Sequence, residues 1–411
     1  MSEKHVIVGA GVAGVTAAVA MRDLGFPGEI TLIDLDPELP YERPPLSKVL
    51  ALPEQGVAVS IMEEARYGEL DIRLRRGTGV RRLDVEERAV VLEDGERLPA
   101  DALLLATGAR PRLSDAPGSE LPGVQVLRTL ADARALGSRL RSRGPMVVVG
   151  AGFVGLEVAA LASGLGVDVT VVEAAPFPLA RVLGAGFAEH ILDWHRGRGV
   201  RIRTSTTVTE FVGTDSLVAV RLSDGEVLPC TTAVVGIGAV PADRLAVEAG
   251  ILCDQGILVD EYGRTNVPWI FAAGDVANQP DPDRGIRRGR VEHWDMALRH
   301  GAAVAASMVA TPTRTTSTPY FWSEQFGHTL QMYGRHDAGD EFVQQDSSEA
   351  GPFALWLRDG TPVAVAGIDR ARDVRVGKEM IEKRVSVSSG EVRDSRTDFR
   401  RLVREGRGPR L

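Results

Sequence analysis

Two glycine loops, each set between a short apolar run and a stretch of small residues, constrain this chain more than any other feature. The first reads Gly9-Ala-Gly-Val-Ala-Gly14 after His5-Val-Ile-Val8, and the second reads Gly150-Ala-Gly-Phe-Val-Gly155 after Met146-Val-Val-Val149, about 140 residues later. One such loop is a weak signal, because glycine-rich turns are common. Here each follows a strand-like run and opens a helix-like one, expected at Val15 to Arg22 and at Leu156 to Ser163. A second apolar run then closes on an acid in both copies: Asp34 lies 20 residues beyond Gly14, and Glu173 lies 18 beyond Gly155. Backbone N–H groups and a helix dipole converge on such a loop, which suits a pyrophosphate, and an acid at that distance suits an adenosine ribose. The pattern is a βαβ unit that occurs twice.

The segments after each copy also run in parallel. Short strands around Val80 to Leu98 turn at Asp94-Gly95, and strands around Val208 to Leu222 turn at Asp224-Gly225. Buried-strand signals follow at Ala102 to Ala106, at Thr232 to Gly236 and at Pro268 to Asp275, the last followed by a small-residue helix at Met296 to Ala310. From Pro319 onward aromatic strands give way to an Arg-rich helical end. Pro/Gly punctuation near 110–123 and 236–241 marks the crossings. The expected domains are therefore 1–112 and 241–318 as one interrupted dinucleotide domain, 113–240 as an inserted second one, and 319–411 as a small α+β unit.

At 411 residues the chain exceeds what one hydrophobic core organises. A net charge of −8 argues against nucleic acid as the main partner. The first residues lead straight into a strand, without the apolar stretch of a signal peptide, and no apolar run approaches the length of a membrane span, so a cytoplasmic protein is expected. Cys230 and Cys253 are the only cysteines, and they sit as small hydrophobes rather than as a close redox pair. No Cys or His cluster has metal-ligand spacing, so no metal site is expected.

Two dinucleotide sites in one chain imply a tightly held, non-covalent FAD and an exchangeable nicotinamide nucleotide, with hydride passing between them. The N-terminal copy suits FAD, because Gly274-Asp275 can join it; the inserted copy suits the nicotinamide. Glu173 would repel a 2'-phosphate and Ala174-Ala175-Pro176 supply no cation, so NADH is favoured over NADPH, with Arg181 the nearest dissenting charge.

With these residues in hand, the chain resembles the two-dinucleotide flavoprotein reductases, and within them the ferredoxin and rubredoxin reductases of the putidaredoxin reductase type. Along with both glycine loops, the carriers are Arg43-Pro-Pro-Leu-Ser-Lys48, Leu105-Ala-Thr-Gly-Ala-Arg-Pro111, Leu127-Arg-Thr-Leu130, Thr265 to Asp275, Val291-Glu-His-Trp294 and Phe321-Trp-Ser323. The resemblance implies an α/β fold with two Rossmann-like domains, as in glutathione reductase, and a small C-terminal α+β domain. It places Gly9, Gly11, Ala13, Gly14, Asp34, Arg43, Lys48, Val80, Thr107, Gly108, Arg128, Gly274, Asp275 and Trp294 at FAD. Gly150, Gly152, Val154, Gly155 and Glu173 fall to the nicotinamide nucleotide, and Gly238 in the second crossing is counted with the cofactor contacts. Lys48, Glu157, Trp294 and Trp322 are the expected catalytic residues, with Lys48 near the reactive flavin nitrogen and Glu157 near the nicotinamide. A solvated loop lysine, an exposed Glu at a helix N-terminus and two core tryptophans would look the same in sequence. Val240-Pro241-Ala242 departs from the Val-Pro-Asn of relatives, and His293-Trp294 from smaller residues.

Relatives that reduce disulfides or peroxides carry a thiol beside the flavin, and Tyr41 to Lys48 has none. The acceptor then lies outside the chain. The expected function is an NADH-dependent ferredoxin reductase that passes single electrons to a [2Fe-2S] ferredoxin, or a rubredoxin, serving an oxygenase such as a cytochrome P450. Docking would use the basic residues Arg284, Arg287, Arg288 and Arg290 or Arg370, Arg372, Arg375 and Lys378, on a monomer or weak dimer. The competing readings are an NADH oxidase or quinone-type reductase, and a redox-responsive flavoprotein of the apoptosis-inducing-factor type.

Overall fold

The structure is a computed structural model that describes residues 2–48, 59–281, 286–309, 311–314, 318–346 and 351–406, with the side chains of 180, 181 and 286–288 excepted. The chain divides into two compact units: Met1–Pro45, Gly56–Arg110 and Ala239–Ser317 form one, and Leu46–Gln55, Pro111–Gly238 and Thr318–Leu411 form the other.

The first unit is built on a five-stranded parallel sheet in the order Ile270–Ala272, Ala102–Leu105, Lys4–Val8, Glu29–Ile33, Ile72–Arg75. Ile270–Ala272 and Ala102–Leu105 read as unbroken apolar runs because both faces are covered, whereas the edge strand Ile72–Arg75 alternates with arginines. Ile7, Leu32 and Leu104 are fully buried, each contributing on the order of 2 kcal/mol by removal from water. The helix after the first glycine loop spans Val12–Asp23, beginning earlier than the sequence suggests, because Gly11 is the N-cap and the glycine turn itself becomes the first helical turn. It packs against the helix Trp294–Val309 at close range: a Cβ on Gly301 would fall 2.3 Å from the Ala13 carbonyl oxygen. A three-stranded antiparallel sheet, Val80–Asp84, Ala89–Leu92 and Arg97–Pro99, precedes the Ala102–Leu105 strand.

The second unit repeats the plan. Its parallel sheet runs Arg201–Arg203, Val169–Val172, Met146–Val149, Thr232–Val235, Val124–Gln125, and its glycine-loop helix is Phe153–Gly164, capped by Gly152. An antiparallel sheet of Val208–Gly213, Leu217–Leu222 and Val227–Pro229 occupies the same place in the order. The C-terminal part adds a five-stranded antiparallel sheet, Tyr320–Gln325, His328–Gly334, Thr361–Ile368, Phe353–Arg358, Glu341–Gln344, backed by the helices Ala371–Glu382, Ser389–Arg393 and Phe399–Glu405. Strand Tyr320–Gln325 alternates strictly, with Phe321, Ser323 and Gln325 buried. Among the described residues no helix is long and apolar enough to cross a membrane.

Candidate active site

Both glycine loops have the same local geometry, and the two outer glycines are fixed by sterics. Gly9 has φ +105° and a Cβ there would lie 2.3 Å from the Ala106 carbonyl oxygen; Gly150 has φ +99° and would meet the Gly236 oxygen at 2.4 Å. A Cβ on Gly14 would sit 1.9 Å from the Gly9 oxygen, and one on Gly155 2.2 Å from that of Gly150. The middle glycines face open space instead. The nearest group to a Cβ on Gly11 is Nη1 of Arg43 at 3.8 Å, and on Gly152 it is the Gly236 oxygen at 3.8 Å. Each loop is thus closed toward the protein and open on the side where a ligand's phosphates can approach its N–H groups. This is the shape a bound dinucleotide requires.

The two acids brace these loops. Asp34 accepts from the Ala10 N–H at 2.5 Å and from the Asp36 N–H at 2.9 Å; Glu173 accepts from the Ala151 N–H at 2.6 Å and from the Ala175 N–H at 2.7 Å. A carboxylate has about four acceptor positions, so both keep capacity for ribose hydroxyls.

Of the remaining first-unit candidates, Gly274, Thr107 and Arg43 lie beside the first loop. Gly274, at φ +76° in the turn Gly274–Val276, approaches Ala13, and a Cβ there would lie 2.9 Å from that of Ala13. The backbone N–H of Gly274 donates to Nδ1 of the fully buried His300 at 3.2 Å, and Nε2 of Gln279 donates to the same nitrogen at 2.9 Å. Asp275 follows in that turn, its carbonyl accepting from Arg290 at 3.3 Å. Thr107 donates from Oγ1 to the Ala242 carbonyl at 2.7 Å, and the Ala242 N–H donates to the Gly108 carbonyl at 3.0 Å. The departure at Ala242 therefore leaves this backbone seam intact. Val80 is buried, Arg43 is exposed, and Trp294 begins its helix half-buried. Burial lowers the pKa of the neighbouring His293 despite the opposing pull of Asp275 and Asp295.

In the second unit, Glu157 is the centre of a network. Lys48 Nζ lies 3.5 Å from Oε2, which also accepts from the Ser47 hydroxyl. Oε1 accepts from the Ser323 hydroxyl at 2.7 Å and the Glu324 N–H at 3.3 Å. The Glu157 side chain is 10% exposed, so it is not the solvated helix-end carboxylate that the sequence leaves open. Phe153 and Glu157 are one helical turn apart, and the inward residues of strand Tyr320–Gln325 meet both: Phe321 packs on Phe153 at 4.6 Å between centroids, and Ser323 reaches Glu157. Trp322 is half-buried and stacks with Tyr320 at 6.0 Å. Val154 is 42% exposed in the first helical turn, Gly238 has φ +105° with nothing within 4 Å of a Cβ, and Arg128 precedes the helix Leu130–Arg141, its N–H held by Asp132 at 3.0 Å.

Burial pushes the Cys230 thiol up to about 12 and the Cys253 thiol up to about 11, so both stay protonated and unreactive at neutral pH. Among the described residues no group of three metal-ligating side chains converges. Of the basic residues singled out, Arg284 and the side chains of Arg181, Arg287 and Arg288 lie outside the described residues. Arg290 pairs with Glu292 at 2.5 Å and Arg370 with Asp373 at 2.5 Å, whereas Arg372 and Arg375 are exposed on the helix Ala371–Glu382.

Residues 3–301 match the family described as pyridine nucleotide-disulphide oxidoreductase, and residues 320–403 match the family described as reductase C-terminal. The chain belongs to the pyridine nucleotide-disulphide oxidoreductase family. This member is 39% identical over 413 residues to the ferredoxin reductase component of chlorobenzene dioxygenase from Cupriavidus sp. (strain PS12), covering 99% of both chains. It is 39% identical over 398 residues to rhodocoxin reductase of Rhodococcus erythropolis, covering 96% of this chain and 92% of the relative. Among solved structures, the ferredoxin reductase of the CYP199A2 system from Rhodopseudomonas palustris matches with a TM-score of 0.94 at 34% identity, over 98% of this chain and 100% of that one. Putidaredoxin reductase in its covalent complex with putidaredoxin matches with a TM-score of 0.94 at 31% identity, over 98% and 99%.

Ser47, Ser323, Gln279 and His300 are members of these networks that sequence reasoning does not single out. Ser47 and Ser323 lie inside motifs that carried the resemblance, which was the only available signal.

Proposed function

We propose that this protein is an FAD-dependent NADH:ferredoxin oxidoreductase that supplies a [2Fe-2S] ferredoxin of an oxygenase system. The observation that carries this is the pair of acid-braced glycine loops in one chain whose two cysteines, one buried and one half-buried, are protonated thiols. Two dinucleotides are accommodated, and neither thiol can take up the electrons. When bound, the flavin accepts two electrons from NADH as hydride and releases them singly, which matches a one-electron iron-sulfur acceptor.

We assign the FAD contacts to Gly9, Gly11, Ala13, Gly14, Asp34, Arg43, Lys48, Val80, Thr107, Gly108, Arg128, Gly274, Asp275 and Trp294. The nicotinamide nucleotide falls to Gly150, Gly152, Val154, Gly155, Glu173 and Gly238. The N–H groups of the open loop faces bind pyrophosphate, and Asp34 and Glu173 accept from ribose hydroxyls. Glu173 also disfavours a 2'-phosphate by charge, which selects NADH. Lys48, held by Glu157, would supply a cation to stabilise negative charge on a reduced flavin, and Trp294 and Trp322 would be the residues to shield it from water. Arg372 and Arg375 offer a basic face to an acidic ferredoxin, steering encounter in a salt-sensitive way. The free thiols suit a reducing compartment, and this reading places the reaction in the cytoplasm. We assign residues 1–112 with 241–318 to FAD, 113–240 to the nicotinamide nucleotide and 319–411 to the C-terminal domain.

The test is NADH-driven cytochrome c reduction, reconstituted with candidate ferredoxins one at a time. A rate that requires one ferredoxin and falls as salt rises is expected. NADH consumption matched by oxygen uptake, with no dependence on any ferredoxin, would assign the chain as an oxidase instead.

A further inference from the structure

Behind Glu157 the hydrogen bonds continue inward. Gln325 Nε2 donates to Ser323 Oγ at 3.0 Å, and Gln325 Oε1 meets Nε2 of His195 at 2.8 Å. Ser323, Gln325 and His195 are 0%, 2% and 0% exposed. The proton positions along this line follow from its outer end. An ionised carboxylate can only accept, so Ser323 must donate to Glu157. Its oxygen is then the acceptor for the Gln325 amide N–H, which turns the Gln325 carbonyl toward His195. His195 must therefore carry its proton on Nε2. Its Nδ1 is buried without a partner among the described residues, which an unprotonated nitrogen tolerates better than a bare N–H would. One charge thus orders three buried groups, and the groups in turn hold that charge in place.

We propose that Ser323, Gln325 and His195 are positioning residues that keep the Glu157 carboxylate aimed at Lys48, so that the line governs how fast NADH reduces the flavin. This rests on the assignment of Glu157 and Lys48 above. None of the three touches Lys48 in the structure; their effect is carried by the Ser323 hydroxyl. The line joins three elements far apart in sequence: the helix Phe153–Gly164, the strand Tyr320–Gln325 and the last turn of the helix Ala180–Arg196.

The experiment uses the FAD-loaded protein and two readouts. Stopped-flow bleaching of the flavin by NADH is measured for E157Q, S323A, Q325L, Q325E, H195L and H195Q, each checked for flavin content. The tautomer and titration of His195 are followed by NMR of protein labelled at histidine nitrogens. S323A removes a hydrogen bond to a charge and should slow reduction about tenfold, and Q325L removes the donor that orients that hydroxyl and should slow it as well. H195Q can still donate to Gln325 and should stay near the parent rate, whereas H195L should not. Q325E preserves size but cannot donate to Ser323, so it should be as slow as Q325L, and His195 should begin to titrate near neutral pH. In the parent protein His195 should be neutral with its proton on Nε2. Parent-like reduction in S323A and Q325L together with slow reduction in E157Q would overturn the proposal, as would a proton on Nδ1 of His195 or H195Q proving as slow as H195L. Parent-like reduction in E157Q would instead overturn the assignment of Glu157, and the proposed effect on flavin reduction with it.

Discussion

Gly274 and His300 are joined by a hydrogen bond in which the imidazole is the acceptor: the backbone N–H reaches Nδ1 at 3.2 Å, inside the core of the first unit. Because Gln279 donates to the same nitrogen at 2.9 Å, His300 Nδ1 must be unprotonated. His300 comes from the middle of the helix Trp294–Val309, so this one ring ties that helix to the turn carrying Asp275.

His300→Leu should leave both buried donors without an acceptor, at a cost of about 1–3 kcal/mol for each. The Gly274-Asp275 turn then loosens, and FAD affinity should fall about tenfold or more. Flavin titration of the apoprotein, with its melting temperature measured alongside, separates the binding loss from the stability loss.

The glycines predict a contrast within each loop. Gly14→Ala places a methyl 1.9 Å from the Gly9 oxygen and should destabilise the apoprotein itself. Gly11→Ala meets nothing closer than 3.8 Å and should fold normally, yet its methyl occupies the open face, so flavin should be lost. Gly155→Ala and Gly152→Ala should divide the same way, with NADH affinity replacing flavin content as the binding readout.

Glu173 should set the choice of nucleotide. Glu173→Gln removes the negative charge while its amide oxygen can still accept from one of the two N–H groups, at 2.6 and 2.7 Å, that now hold the carboxylate. The ratio of kcat/KM for NADH over NADPH should fall about tenfold, because a charge repulsion of roughly 1–2 kcal/mol is removed. An unchanged ratio would show that discrimination lies elsewhere.

Acid should weaken the fold through its buried histidines. Burial lowers the pKa of His195 from 6.5 to about 4, against the pull of its bond to Gln325. The unfolded chain therefore binds a proton at a pH where the folded chain does not, and stability is full above about pH 6.5 and falls as pH drops toward 4. By linkage this amounts to on the order of 3 kcal/mol. His5 and His293 are lowered in the same direction, mainly by burial, and add to the slope. Urea melts between pH 7 and 4 should show a shallower decline in His195→Gln than in the parent.

The amino-acid sequence by itself determined the duplicated strand–loop–helix pattern, the two closing acids, and the lack of a thiol near Tyr41 to Lys48. These were legible because their physics is local: glycine sterics, strand hydrophobicity and a spacing of about 20 residues are all contained in one βαβ unit. Even so, both loop helices begin three residues earlier than the pattern suggests, since only packing shows that the third glycine lies inside the helix against the first. Only the tertiary structure decided what Glu157 is. Its partners Lys48 and Ser323 lie 109 and 166 positions away, and His195 stands 130 from Gln325. A polar side chain carries no mark of a distant donor, and only folding supplies the low-dielectric surroundings that make such partners obligatory.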